Sequence, residues 1–312
     1  MKKATTIGGQ ALIEGIMMKG PDKTALCVRL PGGDIDTSYM NERRLKDRYK
    51  ILGLPVIRGS VAFVESMISG YKALMISAEK SGYAELEEEK DKDSKSSKRL
   101  LDAIMIIAAV LGILLAVVLF TWLPAYLFNL INRAAGHSIT PLRTLFEGII
   151  KMIVFIGYIA AVSRMKDIKR IFMYHGAEHK AIFCYENGEE LTVENVRKNR
   201  RFHPRCGTSF MILMLIVGII VSGSISHFFP SVAGQLYIWV PVRLLLIPLI
   251  CGIGYELIRI CGRYDNILTR IIAAPGLWLQ RITTKEPDDG MIEVAITALM
   301  AVIPEDPNAD RW

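Results

Sequence analysis

Disulfide chemistry is the first thing this chain is poorly equipped for. Its cysteines, Cys27, Cys184, Cys206, Cys251 and Cys261, are odd in number and scattered over 312 residues. Disulfide scaffolds use even, regularly spaced sets, so free thiols or metal ligands are expected instead. A secretory leader is not expected either. The apolar run in MKKATTIGGQALIEGIMMKG is short, broken by Glu14, and followed by no small-residue cleavage site. No internal repeat occurs. The net charge of +7 is not gathered into a recognisable nucleic-acid module, so no nucleic acid is expected as a partner. Charge itself is scarcest inside four long stretches, and that scarcity governs everything else.

Hydrophobic residues make up 51% of the chain and the mean hydropathy is +0.32, high for a soluble protein. The apolar residues fall in blocks at Leu101–Phe128, Gly148–Ser163, Thr208–Phe229 and Leu236–Ile260. The second block spans only if extended back towards Leu142. Each approaches the ~20 residues that cross ~30 Å of hydrocarbon. The expected fold is therefore mainly α: a polytopic membrane protein with four transmembrane helices and a small α+β cytoplasmic unit. Arg164–Arg205 holds ten Lys or Arg against six acids, whereas the connections near 130–141 and 230–242 carry almost no charge. By the positive-inside rule both termini and the central loop are cytoplasmic. The lipid bilayer is the expected partner. Other membrane proteins and further copies of the chain stay open, since four spans need company to form a transport path.

Six segments follow. Residues 1–81 form the N-terminal unit, in which ALCVRL, PGGD and IDTSYM read as two strands around a turn, Gly32 and Gly33 permitting positive φ. Within it, Pro55–Glu79 reads as an amphipathic helix with Val61, Val64, Ile68, Tyr71, Met75 and Ala78 on one stripe. It either packs on the unit or lies on the inner leaflet, and Glu65, on another face, is either solvated or turned to a site. Residues 82–99 are a mixed-charge linker with little to bury, expected to be disordered. Residues 100–163 carry spans one and two, 164–207 the central loop, and 208–261 spans three and four. Residues 262–312 hold interfacial and cytoplasmic helices. There Asn266–Ile282 is broken by Pro275-Gly276 and suits an interfacial or re-entrant helix pair. MIEVAITALMAVI, preceded by Asp288-Asp289 as an N-cap, is too short to span and is expected to pack back on the N-terminal unit.

The central loop carries the chemistry. Asp167 can cap a helix that Asn187-Gly188 stops. On that helix His175 and His179 are four apart, so both imidazoles leave one face within reach of a single ion. Glu178 completes HxxEH, the inverted-zincin order, in which two histidines hold zinc and the glutamate activates water. Zinc needs a third protein ligand, and HPRC in the same loop supplies His203 and Cys206. The bland reading of the same helix is a polar face that happens to carry His-Glu-His-Lys180. Inverted zincins usually draw a third ligand from a distant glutamate, for which Glu194, Glu256 and Glu14 are all candidates. Glu256 also suits an ion pair with Arg259 or Arg263. Gly8-Gly9, before Glu14, bring backbone amides to a ligand or simply make a turn. Glu147 and Lys151 form an i, i+4 pair read as structural, and His137 and His227 belong to the outward side.

GGQALIEGIMMKGP, the pair YHGAEHKAI and HPRCGTSF, and PGLWLQRITTKEPDDGMIEVAI together resemble the YqhQ-type family of bacterial membrane proteins, from about Gly8 to Ala298. That family is a domain of unknown function often labelled a predicted metal-dependent enzyme. The resemblance implies metal binding at His175, His179, His203 and Cys206, and no established reaction. Three functional classes follow from the residues. The first is a zinc (or other divalent metal) hydrolase at the cytoplasmic membrane face, with Glu178 as base. The second is a non-enzymatic scaffold or assembly factor with a closed zinc site, and the third a transporter.

Overall fold

A computed structural model of the chain describes residues 4–41, 45, 49–82, 107, 110–233, 235–264, 266–306 and 308–310. The expected linker, from residue 83 onward, and the start of the first apolar block lie outside the described residues. Two compact units emerge: residues 1–84, 160–214 and 247–312 form the first, and residues 85–159 and 215–246 the second.

The first unit is built on a four-stranded antiparallel sheet in chain order: β1 (Gly8–Leu12), β2 (Gly15–Lys19), β3 (Thr24–Arg29) and β4 (Ile35–Met40). The expected hairpin is β3–β4, with Thr24 opposite Met40 and Arg29 opposite Ile35. The first two strands were not legible as strands. GGQAL and GIMMK lack β-branched alternation, because β2 is buried on both faces and needs none. A two-residue turn at Ile13-Glu14 joins them, with Glu14 at φ +49°. On one face, Ile16, Met18, Ala25 and Cys27 meet α4 (Lys166–Glu186) and α9 (Asp289–Met300). On the other, Leu12, Met17, Leu26 and Val28 pack on Ala73 of α1 (Ile57–Lys80). Asp288 caps α9 by accepting from the Met291 amide at 2.8 Å, and α9 buries Met291, Ile292, Val294, Ala295, Ala298 and Leu299.

Helix α1 turns the expected stripe outward. Val64, Ile68, Tyr71 and Met75 are more than half exposed, whereas Gly59, Ser69, Gly70, Ala73 and Ser77 are buried. Small residues let the backbone approach its neighbours while large apolar ones face away from the unit. Glu65 accepts from the Leu45 amide at 2.6 Å. Among the described residues five helices are long and apolar enough to cross a membrane, one more than the four expected. They are α1, α2 (Val110–Ala134), α3 (Arg143–Val162), α6 (Gly207–Phe228) and α7 (Leu236–Arg263), and α1 is the addition.

A short α5 (Val193–Lys198) follows α4. Between α7 and α9 runs α8 (Ile267–Thr283), one continuous helix through Pro275 rather than a broken pair. Its Asn266 capping box fixes the start, accepting from the Thr269 amide at 2.9 Å. Gly276 is required by the close approach of Ser209, whose Cβ would lie 2.4 Å from an added methyl.

In the second unit, Phe128 of α2 meets Phe146 of α3 edge-on, centroids 5.9 Å apart. Glu147 pairs with Arg143 at 2.8 Å, one turn back, in place of the expected Lys151. Gly148 admits Ile219, whose Cγ1 would sit 2.5 Å from a methyl there. His137 stands in a turn at φ +62°, within 3.4 Å of Asn132 Nδ2. These interactions explain their residues without a functional role.

Candidate metal centre

Helix α4 is the spine of the site. Its expected stop is present as a Schellman motif, with Gly188 at φ +73° donating to Tyr185 O at 3.0 Å and Glu189 to Cys184 O at 3.1 Å. Its start differs from the expectation: Met165 is the N-cap, and Asp167 lies in the first turn, where its charge complements the helix dipole. From Gly176 to Cys184 every residue is buried. A polar surface face is thereby ruled out for His179, Glu178 and Lys180, which are 1%, 4% and 5% exposed.

His175, His179 and Cys206 converge. One donor atom from each lies within 4.8 Å of the others. The His175 Nε2 to Cys206 Sγ distance is 3.1 Å, and the two imidazole centroids are 4.4 Å apart. Each ring is held from behind. His175 Nδ1 donates to Thr283 O at 2.9 Å, and His179 Nδ1 donates to Arg201 O at 2.5 Å. A carbonyl only accepts, so hydrogen sits on Nδ1 of each ring and each Nε2 is turned towards the shared centre, where its lone pair would serve a metal once the ring is neutral. Gly176 makes the first of these bonds accessible. An added methyl there would meet Lys285 O at 2.0 Å, so only glycine lets the segment leaving α8, residues 283–285, lie against α4.

Glu178 completes the cluster from the sheet side. Its Oε1 accepts from the Gly9 amide at 3.0 Å, and Gly9 itself has no room for a side chain, with Glu178 Cδ and Met17 O both within about 3 Å of the built Cβ. Oε2 is buried with no hydrogen-bond partner among the described residues. Burial raises the Glu178 pKa, against the opposing charges of His175 and His179. At Cys206 burial also disfavours the anion, but His175 and His179 outweigh it and hold the thiol well below its usual range. His175 shows the reciprocal effect. Burial pushes it down, and the Cys206 thiolate more than compensates, raising it to about 9.

The other expected residues are placed elsewhere. The His203 ring tilts against Phe183 at 4.6 Å and lies 5.6 Å from the His179 ring, but its Nε2 turns to Glu186 Oε2 at 3.4 Å, so it is not one of the three gathered donors. Burial lowers its pKa to about 4, Glu186 opposing. Glu14 binds Arg170 through both oxygens, at 2.5 and 2.6 Å, and accepts from Tyr174 at 3.1 Å. Glu256 binds Arg58 through both oxygens, at 2.7 and 2.5 Å, a partner from α1 and not the nearby Arg259 or Arg263. Glu194 is an exposed partner of Lys198 on α5. Lys180 donates to Arg197 O and Asn199 O, both at 2.9 Å, and ties down the loop that carries Arg201.

Two supporting groups escaped the sequence reading. Gln280 of α8 clamps the HPRC backbone, accepting from His203 N at 2.7 Å and donating to His203 O at 2.7 Å. Glu186 accepts from Thr5 N at 2.8 Å and pairs with Arg205, beside Cys206. Glu186 belongs to no quoted motif and Gln280 lies unremarked within PGLWLQRITTKEPDDGMIEVAI, and only the fold brings either to the loop. Gly176 did carry a signal, a glycine directly after a candidate ligand. Beside Cys206, a cavity of about 220 Å³ runs between Phe63, Phe210, Tyr255 and Ile258.

The chain belongs to the family described as "Protein of unknown function (DUF1385)", whose model matches residues 54–305. It is 35% identical over 292 residues to the "Uncharacterized protein YqhQ" of Bacillus subtilis (strain 168), covering 93% of this chain and 89% of that relative. No solved structure matches it. These descriptions name no reaction, so the chemistry rests on the geometry.

Proposed function

We propose that this member of the DUF1385 family is a multi-pass membrane protein of the bacterial cytoplasmic membrane and a metal-dependent hydrolase. Its site faces the cytoplasm, as do both termini. The single observation that carries the enzymatic reading is the trio His175, His179 and Cys206, with both imidazoles locked from behind by carbonyls. Donors on one tetrahedral zinc stand about 3.5 Å apart, given Zn–N and Zn–S bonds of about 2.0 and 2.3 Å. The His175–Cys206 separation of 3.1 Å is close to that value. Two imidazoles and one thiolate suit zinc better than harder cations.

Zinc, when bound, supplies Lewis-acid polarisation and makes water acidic enough to act as a nucleophile near neutral pH. The protein's own part is positioning and proton transfer. Thr283 O and Arg201 O orient the rings, and Gln280 and Lys180 hold the loops on which Cys206 and Arg201 sit. Glu178 Oε2, buried and unpartnered among the described residues, is the proton acceptor. Its raised pKa brings it nearer the range a general base requires. The apolar cavity at Cys206, among helices rich in exposed hydrophobic residues, supports a substrate presented from the membrane.

The closed-site scaffold reading needs a fourth protein ligand. His203 was the natural one, and its engagement with Glu186 favours the open, catalytic arrangement. Metal analysis of the purified chain tests the reading. About one zinc per chain is expected in the wild type, none in His175→Ala or Cys206→Ala, and full occupancy in an inactive Glu178→Gln. A wild type without stoichiometric metal sinks it.

A further inference from the structure

We propose that Arg164, Lys169 and Lys285 form a binding site for the phosphate group of an anionic lipid headgroup, distinct from the metal centre. The three residues line one cavity of about 510 Å³ together with Ala160, Ser163 and Ile282. They arrive from three places in the chain: the turn after α3, the first turn of α4, and the connection between α8 and α9. No carboxylate lines the cavity. Among the described residues none of the three cations has an ion-pair partner.

Four other cations of the same unit have acidic partners: Arg170 pairs with Glu14, Lys180 and Arg201 share Glu286, and Arg197 pairs with Asp289. Positive charge is left unmatched where three cations share one concavity. Their backbones are also held. Lys285 N donates to Phe172 O at 2.8 Å, Lys169 N to Met165 O at 2.9 Å and Arg164 N to Ala161 O at 3.1 Å, while the Arg164 guanidinium spends one donor on Ala160 O at 3.2 Å.

Position supplies the ligand class. Helix α3 is apolar along a span-length stretch to Val162 and gives way to Ser163-Arg164 at the cavity. A spanning helix leaves the hydrocarbon at such a change, so the cavity lies at headgroup depth. Arginine and lysine donors match phosphate oxygens, while Ala160 and Ile282 offer apolar contact to the chains below. A zwitterionic headgroup brings a phosphate and a cation together, and three lysine or arginine charges repel that cation. The site therefore selects net-negative headgroups such as phosphatidylglycerol over phosphatidylcholine.

Native mass spectrometry of the full chain, released from nanodiscs of phosphatidylcholine with a minority of phosphatidylglycerol, tests this. Wild type should retain phosphatidylglycerol above its share of the bilayer. Each cation near an anionic surface is worth about fivefold, equivalent to about 1 kcal/mol. The triple variant Arg164→Gln/Lys169→Gln/Lys285→Gln should therefore lose retention by about 100-fold. A charge-matched control, Lys166→Gln/Lys198→Gln/Arg200→Gln, should keep it. Should the triple variant fail to fold, Lys285→Gln alone should show the fivefold loss and Lys285→Arg should restore it. Inorganic phosphate added as competitor separates the sources: displacement at millimolar concentration means that the phosphate group alone is recognised, and no displacement assigns the site to the lipid. Equal loss in the control, or equal retention of the two lipids by wild type, overturns the proposal.

Discussion

Replacing Gly176 with alanine separates helix propensity from site architecture. In an isolated helix the change stabilises by about 1 kcal/mol. Here the new methyl would lie 2.0 Å from Lys285 O, a backbone atom with no rotamer through which to escape. Relief requires residues 283–285 to withdraw by more than about 1 Å. That movement strains or breaks the bonds from Lys285 N to Phe172 O, 2.8 Å, and from His175 Nδ1 to Thr283 O, 2.9 Å. Overpacking costs about 1–3 kcal/mol, and each lost hydrogen bond about 0.5–1.5. After subtracting the propensity gain, a net destabilisation of about 1–5 kcal/mol is expected. Metal affinity should fall by roughly 10–100-fold, the usual effect of losing an outer-shell partner of a ligating histidine. Thermal unfolding in detergent and a chelator competition titration read the two effects. An alanine variant as stable as wild type with unchanged metal affinity would refute the claim that glycine is there to admit the 283–285 segment.

Two further perturbations probe the supports. Glu186→Gln should destabilise by about 3–5 kcal/mol, because it strands the mostly buried Arg205 without its counter-charge. At Glu186 burial opposes ionisation, but the His203 hydrogen bond and the Arg205 charge outweigh it, and the folded pKa lies below the ordinary 4.5. Its stabilising effect is thus complete above about pH 4.5 and lost as pH falls through the folded value. The variant should flatten the acid limb of the stability profile, and an unchanged limb refutes the assignment. For the Arg58–Glu256 pair, bidentate and only about a quarter exposed, Arg58→Leu and Glu256→Leu should each cost more than half of what the double variant costs. A coupling of about 1–3 kcal/mol is expected in a double-mutant cycle of unfolding in mixed micelles, and additivity refutes it.

The donors themselves were legible. HxxEH at i, i+4 and a cysteine at the entrance of an apolar block are local patterns, and the periodicity of an α-helix alone brings two imidazoles to one face. Legible too were the β3–β4 hairpin, from its PGGD turn, the cap at Asp288 and the stop at Asn187-Gly188. The errors have physical causes. His203 was grouped with Cys206 on spacing, but ligand choice between neighbours depends on which side of the loop the chain presents, and Glu186 and Gln280 decide that from helices distant in sequence. The α1 stripe leaves packing on the unit and lying on the leaflet both open, because periodicity shows that a helix has two faces but not which one is covered; in the fold the large apolar residues turn outward and the small ones pack. Pro275 was read as a break, but its helix carries on, started by a capping box and packed through Gly276 against Ser209.

Sequence by itself determined the classes of environment: long apolar helices, a basic central loop between them, and a cluster of soft ligands within that loop. Hydropathy, charge and helical period are local quantities, and a linear chain displays them in full. Tertiary structure alone decided which donors meet, which way the imidazoles face and which carboxylate is left buried beside them. Those outcomes depend on carbonyls at Thr283 and Arg201, on amides at Gly9, and on glycines that let backbones touch. Backbone groups are the same in every residue, so no sequence pattern announces where they will be placed.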